Sequence, residues 1–470
     1  MRNYPLIISL FFPLRTLAVP ISMLEAMLPI GSQLTLLVQD ANSMQTLIEL
    51  NDHILLPPAS TQKLVTALAA ALYLPQNFTF DTHVYRRSND IIFQFSGDPT
   101  LKRKDLQSLI NEMKIQGIRR INGDVWLDGS IFTGYERAVG WPWDILGICY
   151  SAPSAAISLE RNCVHSAVYS VENKRNTRVL VSNFQPVSIK SDAIMVTKEE
   201  KKSLHCTLEL YYRNNNSYRL SGCLLHRNQP FPLKFAVQNT KKFVSDILLS
   251  EFKKAGVPIK GKIQIGAPYG GRHLISTHSS VKRDELLNTM LKRSDNLIAE
   301  NLLKTMGHRY YNQSGTFTNG ITAIKAILKE KSNIDLSHAV MVDGSGLSRN
   351  NRMTAKQLML VMQYLYTHLE LGILAMFPIS GIDGTLKYRD SVRHPPLKHN
   401  LIAKTGSLYG DYNLAGMLKT EQDRDLLVIQ LITNYHIPDT EDLPTNVAPP
   451  ITQFEQGLYQ ALFNSTLIPQ

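Results

Sequence analysis

Three short clusters in this chain combine residue types that can do chemistry together. The first is Ser60-Thr61-Gln62-Lys63, a serine and a lysine three positions apart at the start of an apolar helical stretch. Positions i and i+3 share a helical face, so the Lys63 amine can lie beside the Ser60 hydroxyl. A serine hydroxyl is a weak nucleophile until an adjacent base takes its proton. A lysine serves if burial or nearby cations leave it neutral. A helix start would also aim backbone N–H groups at a developing oxyanion. In isolation Ser60 is better explained as an N-cap, and Ser279 and Lys282 repeat the spacing.

The second cluster, Ser294-Asp295-Asn296, interrupts a helical stretch. Its hydroxyl can relay a proton between a lysine and a leaving group, and the Asn296 amide can hold a substrate carbonyl and the lysine together. By itself it is a polar turn or cap, and Ser348-Arg349-Asn350 also fits S-x-N. The third, Lys404-Thr405-Gly406 followed by Ser407, lies in the strand-like run Leu401–Leu408, and the tripeptide occurs once. A lysine and a threonine hydroxyl can bind a carboxylate, and a glycine lets a substrate backbone lie against a strand edge.

The elements that must position these clusters alternate in texture. Leu34–Gln39 and Gln45–Leu50 read as a hairpin around Ala41-Asn42-Ser43. Ser60–Leu74 is apolar almost all round, as a helix buried mid-domain would be. Short β-type segments (Asp90–Phe95, Gly123–Leu127, Arg178–Val181) then dominate to about residue 275, with a helix predicted over Lys104–Ile115. The charge run Lys198–Lys202 predicts a solvated face or loop. Helical texture returns at Arg283–Met306, Gly320–Lys331 and Thr354–Leu369. Strands are predicted at Asn413–Leu418 and Leu426–Thr433, and a last helix at Ile451–Phe463.

The chain has 470 residues, 44% hydrophobic and 19% charged. That suits about three globular domains and excludes disordered, collagen-like and polytopic membrane classes. The net charge of +11 favours an anionic partner. No zinc-finger or RNP-like motif supports nucleic acid. Arg2 precedes an apolar run, Pro5–Leu14, too short to span a bilayer. It reads as a secretory signal cleaved after Ala18. Cys149, Cys163, Cys206 and Cys223 form no CxxC, and an exported chain permits disulfides. Three connectivities are open; Cys149–Cys163 and Cys206–Cys223 is preferred, because each closes a short loop within one subdomain. Metal ligation is not expected: there is no HExxH, and His394 and His399 flank two prolines.

In order, S-x-x-K, S-D-N and K-T-G are the signature of β-lactamases and penicillin-binding proteins. The 234-residue separation of Ser60 from Ser294 is far more than a compact β-lactamase needs. The chain resembles the DacB-type class C penicillin-binding proteins, D-alanyl-D-alanine carboxypeptidases and endopeptidases that carry a large insertion there. Further stretches share the likeness: Gly97–Leu101, Gly140–Trp143, Tyr150–Pro153, Asp343–Arg349 and Gly384–Leu386. It runs from about residue 30 to 460.

The resemblance implies an α+β, β-lactamase/transpeptidase-like catalytic domain, a five-stranded antiparallel sheet packed with helices. It would be built from residues 19–75 and 276–470, after a signal peptide at 1–18. A β-rich inserted domain would span 76–165 and 236–275, with a nested domain at 166–235. The cysteines would be retained as two local pairs. Ser60 would be the acylated nucleophile and Lys63 its base. Ser294 and Asn296 would complete the relay, Lys404 would support it, and Thr405 would bind the substrate carboxylate. Gly406 belongs to the same strand, and the N–H groups of Ser60 and Ser407 would form the oxyanion hole. Tyr150 and Arg349 match pocket positions. One departure stands out. The family places a pocket aspartate five residues before the aromatic of Y/F-S-A-P; here that position is Ile145, and Asp144 falls one residue earlier.

The implied protein is a periplasmic hydrolase of peptidoglycan stem peptides and cross-links, acylated by β-lactam antibiotics, with no cofactor. Peripheral membrane association and oligomeric state stay open. A β-lactamase or esterase on the same fold would need a deacylating base, and no E-x-x-x-N segment is evident near Ser294. A non-catalytic wall-binding protein is disfavoured by the intact motifs.

Overall fold

The computed structural model describes residues 18–171, 175–438 and 447–468. The apolar run Pro5–Leu14 lies outside the described residues. Among those described, no helix is long and apolar enough to cross a membrane.

The organising element is a five-stranded, wholly antiparallel sheet. Its strands run in the order Leu401–Leu408, Asp411–Lys419, Asp425–Thr433, Gln33–Asp40 and Thr46–Leu50. Strands from the two ends of the chain are thus neighbours, with Ile429 opposite Leu37. Leu37, Leu427, Ile429 and Leu431 face the helices Lys63–Tyr73, Asn296–Tyr311 and Ala355–Thr367. Leu36, Val38, Val428 and Ile432 face the helix Pro450–Phe463 on the other side. Because both faces are covered, Leu426–Ile432 is almost continuously apolar and lacks the alternation of a half-solvated antiparallel strand.

The exception, Gln430, is fully buried and donates to Glu455 Oε1 at 3.0 Å. Glu455 also accepts from Ser391 Oγ at 2.6 Å and from Arg389 Nε at 2.9 Å. This buried cluster ties the C-terminal helix to the sheet.

Between the helix Lys63–Tyr73 and residue 283 the chain builds other sheets. A mixed sheet orders Ile263–Ile265, Val125–Asp128, Asp90–Gln94, Asp81–Arg87 and His273–Ser279. The helix Arg103–Ile115 packs with it, and so does a helix the sequence reading did not anticipate, Thr240–Lys254. Its signal was present: Asn239 accepts the Lys242 N–H as a cap, and Phe243, Val244, Ile247, Leu248 and Phe252 recur at helical spacing, all buried. Cys163–Ser170, Phe231–Ala236 and Thr177–Leu180 make a three-stranded sheet, and three further short strands pair with Ser217–Leu225. Disulfides join Cys149 to Cys163 and Cys206 to Cys223. The charge run Lys198–Lys202 lies in a short exposed helix, Lys198–Ser203, capped by Thr197.

Removing Glu455 would leave the buried Arg389 guanidinium without its counter-charge. Glu455→Ala should therefore cost about 3–5 kcal/mol in urea unfolding; a loss below about 1 kcal/mol would show that the cluster does not hold the C-terminal helix.

Candidate active site

Ser60 does not begin an α-helix. It lies inside a 3₁₀ turn, Ala59–Gln62, that feeds the helix Lys63–Tyr73. Side chains three apart eclipse in a 3₁₀ turn, which stacks Lys63 directly over Ser60: Nζ donates to Oγ at 2.8 Å. Ala59, just before Ser60, sits at φ +47°, a conformation that costs a non-glycine residue free energy and that the packing around it enforces.

Two glycines let that packing close. At Gly346 (φ +80°) a Cβ would collide with the Ala59 carbonyl. At Gly406 a Cβ would stand 2.8 Å from the Pro58 carbonyl and 3.1 Å from the Thr61 nitrogen. The sequence reading gave Gly406 to substrate backbone; in the structure its missing side chain admits the nucleophile turn itself.

The helical texture over 283–306 proves to be two helices, Arg283–Arg293 and Asn296–Tyr311, and the second cluster is the joint. Ser294 is left-handed (φ +56°) and closes the first helix. Asp295 caps the second, accepting the Ile298 N–H at 3.0 Å, and pairs with Arg161 from the insertion. Asn296 opens the second helix and points at Lys63, which donates to its Oδ1 at 2.7 Å. The Asn296 amide nitrogen donates to the Tyr150 carbonyl at 2.7 Å. With an ammonium on one side and a carbonyl on the other, the amide has one workable orientation. Its second amide hydrogen is the one left for a substrate carbonyl.

Lys404 lies on the edge strand Leu401–Leu408, fully buried, and donates to Ser294 Oγ at 2.9 Å and to the Thr405 carbonyl at 2.7 Å. The next residue alternates to the other side of the strand: Thr405 Oγ1 donates to Thr385 Oγ1 at 2.8 Å. Ser407 is exposed. The site thus holds two lysine–serine pairs, Lys63 with Ser60 and Lys404 with Ser294.

Both amines lie where a proton is expensive to keep. Burial lowers Lys63 to about 7, although the carboxyls of Glu300 and Asp343 oppose the shift. Burial lowers Lys404 too, and the positive charges of Lys63 and Arg389 add to that. A neutral lysine near neutral pH is what a general base for a serine requires.

Three residues behind Lys63 were missed as contributors. Its third acceptor is the Ser345 carbonyl, at 2.8 Å. Glu300 accepts the Gly344 and Ser345 N–H groups at 2.7 and 3.0 Å. Asp343 is fully buried and accepts from the Gly346 and Ser348 N–H groups, Asn351 Nδ2 and Trp141 Nε1 at 2.6–2.9 Å. A sequence signal existed for Glu300. Asn296, Glu300 and Lys304 recur every four residues along this helix, so they share one face.

The remaining positions form a rim. Tyr150 is half exposed; burial and the Asp144 charge raise its hydroxyl's pKa, which the Arg349 charge opposes. Arg349 is exposed, its guanidinium 5.9 Å from the Tyr409 ring. Asp144 points to solvent, while Ile145 packs with Trp141 and Leu347. Cys149 and Cys163 bracket the segment carrying Tyr150.

Comparison with known proteins identifies the family. The sequence profile described as the D-Ala-D-Ala carboxypeptidase 3 (S13) family matches residues 22–456. The chain is 34% identical over 468 residues, 97% of each chain, to D-alanyl-D-alanine carboxypeptidase DacB of Haemophilus influenzae. The crystal structure of penicillin binding protein 4 (dacB) from that organism superposes with a TM-score of 0.87 at 34% identity, covering 94% of this chain and 99% of the other. The same protein complexed with a β-lactam gives 0.82 at 33% identity, with the same coverage.

Two outcomes are expected. Acylation of Ser60 should fall roughly tenfold per pH unit as pH drops below about 7, because Lys63 then carries its proton; a rate independent of pH between 5 and 8 would remove Lys63 as the base. Gly406→Ala should lower the acylation rate about 10²-fold by pushing the strand off the nucleophile turn; wild-type kinetics would show that this contact is not needed.

Proposed function

The chain belongs to the D-Ala-D-Ala carboxypeptidase 3 (S13) family and is a serine-type D-Ala-D-Ala carboxypeptidase, and we propose that Ser60 is the residue it acylates. The observation that carries this assignment is the pairing of each buried lysine with its own serine.

Lys63 takes the Ser60 proton as Oγ attacks the carbonyl of the penultimate D-Ala. The N–H groups of Ser60 and Ser407 hold the oxyanion of the tetrahedral intermediate. Ser294, kept in place by Lys404, gives its hydroxyl proton to the departing amine as the C–N bond breaks, and the proton that Lys63 took from Ser60 restores it. Water then hydrolyses the acyl-enzyme. Thr405 binds the terminal carboxylate, beside the positive potential of Lys404, and the free amide hydrogen of Asn296 holds a substrate carbonyl. The same chemistry cleaves D,D-cross-links, which makes the protein an endopeptidase as well. A β-lactam enters by the same attack, and its ester persists because no leaving group departs to make room for water.

The rim reads the stem peptide. Asp144, Tyr150 and Arg349 present a carboxylate, a phenol and a guanidinium around the mouth. Asp144 is the group to meet a free amine on the substrate side chain, one residue from the expected position because Ile145 is held in its apolar cluster. The substrate is peptidoglycan, which places the protein in the periplasm. The net charge of +11 suits anionic envelope polymers. Binding to purified sacculi should accordingly weaken as salt rises from 50 to 300 mM; affinity unchanged across that range would separate the charge from wall binding.

Labelling with a fluorescent penicillin, followed over time on wild type and Ser60→Ala, tests the assignment. Stable labelling that vanishes in the variant, with D-Ala released from muropeptides by wild type alone, is the expected result. Labelling that decays within seconds would make the protein a β-lactamase. A folded wild type that takes no label would have only a wall-binding role.

A further inference from the structure

The proposed mechanism gives Lys63 a substrate-facing serine and a substrate-facing asparagine, yet its third ligand, the Ser345 carbonyl, comes from a buried loop to which that mechanism gives no part. A main-chain carbonyl can aim an amine only if the loop carrying it is fixed. The loop Asp343–Gly346 is gripped on three sides. The nucleophile helix holds it through Thr66 Oγ1, which donates to the Gly344 carbonyl at 2.7 Å, and through Gln62 Nε2, which donates to the Asp343 carbonyl. Asp343 holds it from within, accepting the Gly346 N–H at 2.8 Å. The third grip is Glu300, fully buried, one carboxylate oxygen on each of the Gly344 and Ser345 N–H groups.

Glu300 lies one helical turn from Asn296, so a single rigid helix presents both the amide that accepts from Lys63 and the carboxyl that fixes the carbonyl accepting from Lys63. We infer that Glu300 is a positioning residue for the base: it locks the Gly344–Ser345 backbone so that the Ser345 carbonyl and the Asn296 amide together aim the Lys63 amine at Ser60. The inference rests on the reading of Lys63 as the base and adds what holds it there.

A second consequence follows from charge. Burial and the neighbouring Asp343 charge push the Glu300 carboxyl up to about 8, against the two loop N–H groups and Lys63, which favour the ionised form. The charged groups around this pocket are Lys63, Asp343 and Lys304, with Lys404 and Arg389 beyond Lys63. Over the acid limb, below about 7, Glu300 is therefore largely neutral, and an amide in its place leaves that limb where it is. What it changes is the aim of the amine, and so the acylation rate constant and not the affinity for the penicillin.

The test is the pH profile of penicillin acylation for wild type, Glu300→Gln and Glu300→Asp, with folding checked by thermal denaturation. In Glu300→Gln the amide can accept one loop N–H but must turn its own N–H₂ on the other. Its acylation rate constant at the plateau should fall about 10–100-fold with the non-covalent affinity for penicillin and the acid limb near their wild-type values. A wild-type rate constant, or a loss confined to affinity, would overturn the inference. Glu300→Asp keeps the carboxyl but is one methylene too short to reach both N–H groups. It should lose at least about tenfold in rate with the limb near its wild-type position, and a wild-type rate would overturn the inference even if the Gln variant did not fold. Wild-type acylation at Ser60 in the same experiment reports on the underlying reading separately.

Discussion

Everything in this protein is arranged around an ammonium group with no water to hold it. Lys63 is fully buried at the first turn of a helix buried along almost its whole length. Desolvation alone would strip its proton or expel it from the core. Instead, Nζ is met by a hydroxyl, an amide oxygen and a main-chain carbonyl, each within 2.8 Å. Those three acceptors come from the nucleophile turn, the helix Asn296–Tyr311 and the loop at Ser345, which are distant in sequence. The sheet, its two helical layers and the close glycine contacts bring the three together. The amine that results is positioned like a salt-bridge partner and titrates like a base.

Lys404 is the electrostatic counterpart. It shares the buried volume with Lys63, and Arg389 stands behind it. Three positive charges in one interior would be intolerable if all were fully protonated and unpaired. Arg389 is neutralised by Glu455, which leaves the two lysines as the groups able to give way. The C-terminal helix, remote from the nucleophile, therefore takes part in setting the charge state of the site.

Much of this was legible in the chain. The five strands were found to within one or two residues, because an apolar run bounded by turns is a strong signal whichever face it serves. The three clusters were found through their order, since none was specific alone. What escaped detection depended on long-range packing. Ser60 read as the start of an α-helix because sequence does not distinguish a 3₁₀ turn from the first turn of an α-helix. Gly406 read as a substrate contact because its real neighbour, the nucleophile turn, lies more than 340 residues away in sequence. Asp343 was noticed only as part of a likeness: an isolated acidic residue in a loop carries no local mark of being buried. Glu300 was the recoverable miss, since its four-residue spacing puts it on one helical face with Asn296 and Lys304.

The helix Asn296–Tyr311 meets the insertion chiefly through main-chain carbonyls. Asn296 takes that of Tyr150, Asn301 that of Gly97, and Lys304 those of Tyr135 and Ser154. Every residue type offers the same carbonyl, yet the four positions are not equally free to change. Gly97 sits at φ +83° with no room for a Cβ beside Phe132, and Ser154 also donates its buried Oγ to Asn301 Oδ1 at 2.7 Å. Tyr135 and Tyr150 give the clasp only their carbonyls and hold their rings out in solvent. Substitution can reach those two without loosening the joint, so long as the backbone keeps its path.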